Sequence, residues 1–486
     1  MSYNKVDENI VKQLRDIAGS EWVDVDPEKL ENYGHDETPL YHTTPDIVVH
    51  PADTNQVARV MKLAGEKMIP VTPRGGGTSL SGGAVPVHKG IVLALDRMNR
   101  IKEIDNENLM VVTEPGVITA ELGKELARHG LFFPPDPVSL ESCTIGGNVA
   151  ECAGGPRAMK YGVTKNYVTG LEIVLADGEI VRYGGKLLKN VTGYDFVNLM
   201  VGSEGTLGIV TEITLEVLPQ PKAVVDLMIP FNRIGDAAWF AVEILHQGAA
   251  PAAIEFMDGP SIRLVEKFLA RPVPFNEAGC YTIVELDGYD LEAIRKIYEK
   301  IGEIALAMGA QDVLVGDNKP DREKIWEPRK KIGEALKTLK TILCREDLVV
   351  PKSRIPELIN RLDELARKYD AELYAFGHFG DGNIHTDFTK NDYNDKQKEH
   401  NDYSDNKKDY RDKKIIDVEM VKKLRGEIYR ITIDLGGMIT AEHGIGLSKK
   451  DFLGLALDSS TIEKMRQIKK IFDPKNILNP GKIFPD

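Results

Sequence analysis

Cysteine is scarce in this 486-residue chain. The four present, Cys143, Cys152, Cys280 and Cys344, form no CxxC pair, which argues against an iron–sulfur cluster or a structural zinc knuckle. Reduced thiols of a cytoplasmic protein are the default expectation. Long apolar runs are missing too. No stretch approaches about 18 consecutive apolar residues, so no membrane-spanning helix is expected. The opening residues, Met1 to Glu8, hold no apolar core, which argues against a secretory signal. There is no basic excess: 62 Lys+Arg stand against 75 Asp+Glu, a net charge of −13. That balance argues against broad nucleic-acid binding and leaves room for a local basic pocket.

What is present is ordinary globular composition, 42% hydrophobic and 28% charged. At about 100–200 residues per domain, the length calls for roughly two to four domains. Residues 1–45 read as a helical lead-in and a polar loop. Residues 46–220 alternate short apolar strands (Ile47–His50, Ile69–Thr72, Ile91–Leu95, Leu109–Thr113, Gly170–Leu175, Ile209–Val217) with few helices (Asn55–Lys67, Thr119–His129). This mixture predicts an α+β fold rather than a doubly wound sheet. Leu218-Pro219-Gln220-Pro221 reads as a linker.

Residues 221–430 carry longer helices (Gly235–His246, Ser261–Phe268, Leu291–Met308, Ile355–Lys368) between strands (Ala223–Pro230, Ala253–Met257, Tyr281–Leu286, Ala371–Phe376) and read as a second α+β domain. Within it, residues 389–414 are almost all Lys, Asp, Asn, Glu, Gln and Tyr, a composition expected to form an exposed, mobile insertion. A helix from Asp417 to about Leu435 follows and stops at Gly436-Gly437. Residues 431–486 read as a C-terminal segment.

The first chemical signal is Pro73-Arg74-Gly75-Gly76-Gly77-Thr78-Ser79-Leu80-Ser81-Gly82-Gly83. Consecutive glycines let backbone N–H groups approach an anion, and the hydroxyls add donors, so the loop suits a pyrophosphate. No Gly-Lys-Ser/Thr closes it, and Leu80 stands where a GxGxxG loop needs its third glycine. Further loops, Pro134-Pro135-Asp136-Pro137, Thr144-Ile145-Gly146-Gly147-Asn148, Ala153-Gly154-Gly155 and Gly202-Ser203-Glu204-Gly205-Thr206-Leu207-Gly208-Ile209-Val210, suggest several turns wrapped around one extended dinucleotide.

The second signal is Gly377-His378-Phe379-Gly380-Asp381-Gly382-Asn383-Ile384-His385. A strand, a tight turn and a returning strand would bring His378 and His385 to one face, where two imidazoles suit a divalent cation. Glu442, in Thr440-Ala441-Glu442-His443-Gly444, is the candidate carboxylate, and zinc, iron and manganese are all compatible with such a set. A third signal is Trp326-Glu327-Pro328-Arg329, which opens a helical stretch and offers an arginine able to grip a carboxylate bidentately.

The order PRGGGTSLSGG, PPDP, TIGGN, AGG, YG, GSEGTLGIVTE, followed by GHFGDGNIH and EHG, resembles the vanillyl-alcohol-oxidase-like flavoproteins over about residues 40–485. Within them the chain is most similar to the branch of FAD-linked D-lactate dehydrogenases, glycolate oxidase flavoprotein subunits and D-2-hydroxyglutarate dehydrogenases. The resemblance implies a p-cresol methylhydroxylase-type FAD-binding domain, an α+β cap that binds substrate, and a C-terminal segment returning to the FAD domain. Arg74, Gly75, Gly76, Gly77, Thr78 and Ser79 match the pyrophosphate loop. Pro135, Asp136, Thr144, Gly147, Asn148, Gly154 and Tyr161 match the stretch lining the isoalloxazine and ribityl chain. Glu204, Gly205, Gly208, Ile209 and Val210 match the region near the adenine. No equivalent of a flavin-linked His or Cys is evident, so non-covalent FAD is expected.

The same resemblance implies a metal on His378, His385 and Glu442, and His443 as the base that takes the substrate hydroxyl proton, a task that suits a neutral histidine. It makes Arg329 the holder of the substrate carboxylate, with Arg345 or Lys352 as a second cation, and places Asn383 within reach of substrate. Gly333 stands where hydroxyglutarate-oxidising relatives have a Thr, which favours a small acid such as lactate or glycolate. The expected reaction is oxidation of a D-2-hydroxy acid, D-lactate foremost, with hydride passing to flavin N5. No NAD fingerprint is visible, so an electron-transfer flavoprotein or iron–sulfur subunit is the expected acceptor. A glycolate oxidase subunit, a D-2-hydroxyglutarate dehydrogenase, an alkyl-transferring flavoenzyme and a non-catalytic flavoprotein scaffold are the rival readings.

Overall fold

A computed structural model of the chain describes residues 2–38, 41–339, 342–390 and 418–485. The chain divides into two compact units, Met1–Gln220 with Glu442–Asp486, and Pro221–Ala441. Most of the charged stretch expected as an insertion, residues 391–414, lies outside the described residues, and Thr389 and Lys390 close a strand instead.

In the first unit, Ile47–Val49, Ile91–Ala94 and Val71–Arg74 lie parallel, with Val23–Asp24 added antiparallel at one edge. The helix Thr54–Lys67 crosses between the first and third of these strands. Asp53 caps it by accepting from Gln56 N–H at 2.9 Å, and left-handed Met68 ends it. Val57, Val60, Met61 and Ala64 recur at helical spacing and bury against the sheet, in one core with Leu14, Ile477 and Leu478. A second, five-stranded antiparallel sheet runs Ile101–Asp105, Met110–Thr113, Ile209–Glu216, Val168–Val174, Ile180–Gly184. The glycine-rich loop leaves the carboxyl end of Val71–Arg74, where ligands bind in parallel α/β sheets.

The second unit is built on one seven-stranded antiparallel sheet. Its order is Leu314–Gly316, Ala223–Phe231, Cys280–Gly288, Ala253–Asp258, Ala371–His378, Asn383–Lys390, Ile342–Val349. The Ile342–Val349 strand was not expected from the sequence. Arg345, Glu346 and Asp347 break its apolar pattern, yet each is paired in the fold. Side chains alternate between faces. Glu346 points to the face covered by the helix Val418–Asp434, where its carboxylate accepts from Arg425 Nε at 2.6 Å and from the Tyr429 hydroxyl. Arg345 and Asp347 point to the other face.

That other face is partly roofed by Gly259–Leu269 and Lys319–Lys337, whose Ile262, Val265, Ile325, Ile332 and Leu336 pack on Met257, Tyr281, Ile283 and Phe376. The second helix begins seven residues before Trp326. Asn318 caps it and Pro320 sits in its first turn, two start signals that the sequence carries openly. Its buried stripe is Ile325, Pro328, Arg329, Ile332, Ala335 and Leu336, and Arg329 reaches the strand residues Glu255 and Phe376 from this otherwise apolar row.

Beneath the same helix, buried Asp226 accepts from Arg322 Nε at 2.8 Å, and Glu285 lies 3.5 Å from the same guanidinium. Burial, then the Glu285 charge, pushes the Asp226 carboxyl up to about 7 against the pull of Arg322. An acid with a raised folded value keeps its proton when the unfolded chain, titrating near 4, has lost it. Its contribution therefore declines as pH rises from about 4 to about 7 and stays lost above. The thermal midpoint should be lower at pH 8 than at pH 5.5, and Asp226→Asn should flatten that profile, recovering on the order of 2–4 kcal/mol at pH 8. Differential scanning calorimetry of both proteins across this range checks it.

Candidate active site

The glycine-rich loop is shaped by backbone contact. A Cβ on Gly76 would lie 2.2 Å from the Ser142 carbonyl oxygen, and Gly77 has φ +70°, a conformation that favours glycine. Ser79 Oγ accepts from the N–H groups of Ser81 and Gly83 and rounds the turn. Arg74 is pinned by a 2.7 Å bond from Nη1 to the His35 carbonyl. Among the described residues, the backbone N–H groups of Gly76–Leu80 have no acceptor in the protein. A row of open donors on a loop too tight for side chains fits the pyrophosphate of a dinucleotide.

The other loops expected at the cofactor follow in the same unit. Asp136 runs beside Gly155, where a Cβ would meet the Asp136 carbonyl at 2.5 Å. Thr144 caps the helix Ile145–Glu151, accepting from Gly147 N–H at 3.2 Å. Asn148 directs its amide N–H to Thr119 Oγ1 at 2.8 Å. Pro135 and Gly154 are buried, and Tyr161 stands edge-on to Phe132 with ring centres 5.5 Å apart. Gly208 lets Ile209 and Val210 begin their strand against Ile173. Glu204 is turned toward the His443 segment: its two oxygens accept from Ile445 N–H at 2.8 Å and Gly446 N–H at 2.7 Å. Gly205 follows it in the left-handed region. Glu442 lies against Gly154, whose Cβ would come within 3.0 Å of its Oε2, and His443 Nε2 is 3.8 Å from Glu442 Oε1.

In the second unit, one face of the sheet gathers the remaining candidates. The strands Ala371–His378 and Asn383–Lys390 pair so that His378 opposes Asn383 and Phe376 opposes His385. His378 and His385 thus share a face, with their Nε2 atoms 3.3 Å apart. Glu255, on the adjoining strand directly opposite His378, is fully buried. One of its oxygens accepts a hydrogen bond from His378 Nδ1; the other accepts from Arg329 Nε at 2.9 Å. Burial would push the Glu255 carboxyl up, but His378 and then Arg329 more than offset it and hold it below the ordinary carboxylate value. Arg329 is 4% exposed, its Nη2 has no acceptor in hydrogen-bond geometry among the described residues, and its guanidinium lies over Phe376 at 5.2 Å.

Asp347 is the second carboxylate that the sequence reading missed. It is buried, accepts from Asn383 Nδ2 at 2.7 Å, Thr440 Oγ1 at 2.7 Å and Ala441 N–H at 2.9 Å, and lies 3.9 Å from His385 Nδ1. Asn383 also donates to the Leu348 carbonyl, so its amide nitrogen holds the framework. Arg345 donates to Asp387 at 2.8 Å. Lys352 is exposed in a short turn after the strand. A charged residue in the middle of the apolar strand Ala253–Asp258 is the signal that could have found Glu255.

The donor set fits a divalent cation. With Nδ1–H given to Glu255, His378 Nε2 carries its lone pair toward His385. Two imidazole nitrogens on one tetrahedral ion at about 2.0–2.1 Å stand about 3.3 Å apart, the spacing seen here. A carboxylate behind the ligating ring is the usual outer support of such a ligand.

The chain matches two family models, an FAD binding domain over residues 45–184 and the C-terminal domain of FAD linked oxidases over residues 220–483. It is 38% identical to the glycolate oxidase subunit GlcD of Bacillus subtilis (strain 168), over 99% of this chain and 97% of that protein. It is equally 38% identical to a D-lactate dehydrogenase of Anaerostipes hadrus, over 99% and 98%. Its fold is similar to that of substrate-bound p-cresol methylhydroxylase, with a TM-score of 0.76 at 16% identity, over 98% of this chain and 96% of that one. That bears out the expected fold type, an α+β FAD-binding domain joined to a second α+β domain.

The cradle is tested by Gly76→Ala, which sets a methyl against the Ser142 carbonyl. Flavin retained through purification, read as visible against protein absorbance, should fall about ten-fold or more. Gly123→Ala, where a Cβ meets nothing within 4 Å, should retain the cofactor.

Proposed function

Because the chain belongs to the FAD-linked oxidases, with the family's FAD-binding and C-terminal domains in order, we propose that this oxidoreductase oxidises a small D-2-hydroxy acid, D-lactate foremost, to the 2-oxo acid. The observation that carries this reading is the face on which Arg329, Glu255, His378 and His385 follow one another in contact. It combines a carboxylate-binding cation with a pair of ligand nitrogens, the two handles of a 2-hydroxy acid.

Arg329, paired with Glu255 at 2.9 Å through Nε and Nη2, holds the substrate carboxylate, and Phe376 supports the guanidinium from below. His378 and His385, with Glu442, would hold a divalent cation, which supplies Lewis acidity toward the substrate hydroxyl. His443 takes the hydroxyl proton. FAD, when bound without a covalent link, supplies the acceptor for the hydride that leaves C2 with its electron pair. Loss of that hydride and that proton turns the carbinol into a carbonyl, so D-lactate yields pyruvate. Glycolate is the second candidate, on the strength of the 38% identity to a glycolate oxidase subunit. The electrons go on to a protein acceptor, an electron-transfer flavoprotein or an iron–sulfur subunit.

The test is the visible spectrum of the anaerobic, FAD-loaded protein with D-lactate, L-lactate and glycolate in turn. Bleaching by D-lactate and little change with L-lactate is the expected result; no bleaching by any 2-hydroxy acid overturns the reading. Arg329→Lys should raise the substrate KM about ten-fold or more, since a lysine cannot pair bidentately. His443→Asn should slow flavin reduction about 10²-fold or more, while FAD stays bound. Chelator treatment should abolish bleaching, and zinc or manganese should restore it.

A further inference from the structure

Arg345 and Asp387 face each other across two neighbouring strands, on the same side of the sheet as His385 and His378. Arg345 Nε donates to Asp387 Oδ1 at 2.8 Å. The aspartate side chain is fully buried, while the arginine is 25% exposed. Arg345 Nη2 and Asp387 Oδ2 are themselves buried and lack a hydrogen-bond partner among the described residues. Buried polar atoms ordinarily find partners. An unpaired donor and an unpaired acceptor on one ion pair, two residues along the strand from His385, leave hydrogen-bonding capacity unused beside that histidine.

The two arginines of this face differ in their partners. Arg329 Nε and Nη2 both lie 2.9 Å from one Glu255 oxygen, while the other Glu255 oxygen is bonded to His378. Asp387 bonds Arg345 and neutralises it. The strands that carry Phe376, under Arg329, and Arg345 are two strand spacings apart, about 10 Å, and Arg345 is offset by two residues, since it pairs through Asp387 with Tyr374.

We propose that the Arg345–Asp387 pair determines the substrate class by cancelling the second cation. The site then admits a 2-hydroxy monocarboxylate with a small neutral C3 group and rejects a 2-hydroxy dicarboxylate. A second substrate carboxylate would either pull Arg345 off Asp387 or lie beside Asp387 unbalanced, and both leave a buried charge unpaired. This rests on the 2-hydroxy-acid reading above and adds the side-chain class to it.

The experiment uses the full-length, FAD-loaded enzyme and the variant Asp387→Asn, which keeps the shape and frees Arg345. The ratio of kcat/KM for D-2-hydroxyglutarate to that for D-lactate should rise about ten-fold or more, mainly through KM. Calorimetry with the product acids gives a readout without turnover: 2-oxoglutarate should bind about ten-fold tighter to the variant, and pyruvate should change far less. The charge-free double variant Arg345→Gln, Asp387→Asn should lose the gain.

An unchanged ratio together with unchanged discrimination between the oxo acids overturns the proposal. Should Asp387→Asn fail to hold FAD, wild-type calorimetry decides: tighter binding of 2-oxoglutarate than of pyruvate overturns the proposal, and the reverse supports it. A wild-type flavin bleached faster by D-2-hydroxyglutarate than by D-lactate sinks this inference and leaves the 2-hydroxy-acid reading standing. A flavin bleached by neither acid removes that reading first.

Discussion

A single carboxylate, that of Glu255, organises the second unit's face. It is buried in the sheet with an arginine on one oxygen and an imidazole on the other. An isolated carboxylate there would be intolerable, and two cationic or proton-donating partners make it tenable. The same arrangement fixes the rest. Arg329 is drawn inward from a helix whose neighbouring side chains are apolar, and His378 presents Nε2 because Nδ1 is occupied. The arginine and the imidazole are therefore both set by one residue.

Around this point the sheet separates tasks by face. On one side Glu346 locks Arg425 and Tyr429 and fastens a helix. On the other, Arg345 and Asp347, its immediate neighbours in sequence, point toward Asp387 and His385. Alternation along a strand lets a run of three charged residues serve two purposes without conflict. Asp347 extends the order to the chain leaving the unit, since it holds Thr440 and Ala441 just before the Glu442-His443 pair.

Much of this could be read in the residues. The glycine-rich loop and the His378–His385 turn are local signals, in which spacing dictates geometry, and both fell where the motif placed them. Helix ends follow their caps, and the helix bearing Arg329 starts just after its Asn318 cap, seven residues before the Trp326 start expected from the sequence. Glu255, Asp347 and Asp387 were not identified. Each is an acid inside a strand, and its meaning depends on a partner 36 to 123 positions away. Propensity and period cannot report such a pairing. Only the register of the sheet brings Glu255 opposite His378.

The first unit also has a temporal aspect. The strand that launches the glycine-rich loop is flanked on its open side by the last part of the chain: Val71 N–H reaches the Ile477 carbonyl and Asn479 N–H returns to the Val71 carbonyl, each at 2.8 Å. On the ribosome, that edge stays bare while the whole of the intervening unit is made. The loop that would receive the dinucleotide is thus framed only once residues 477–479 have joined the strand that launches it, about 400 positions after that strand was made.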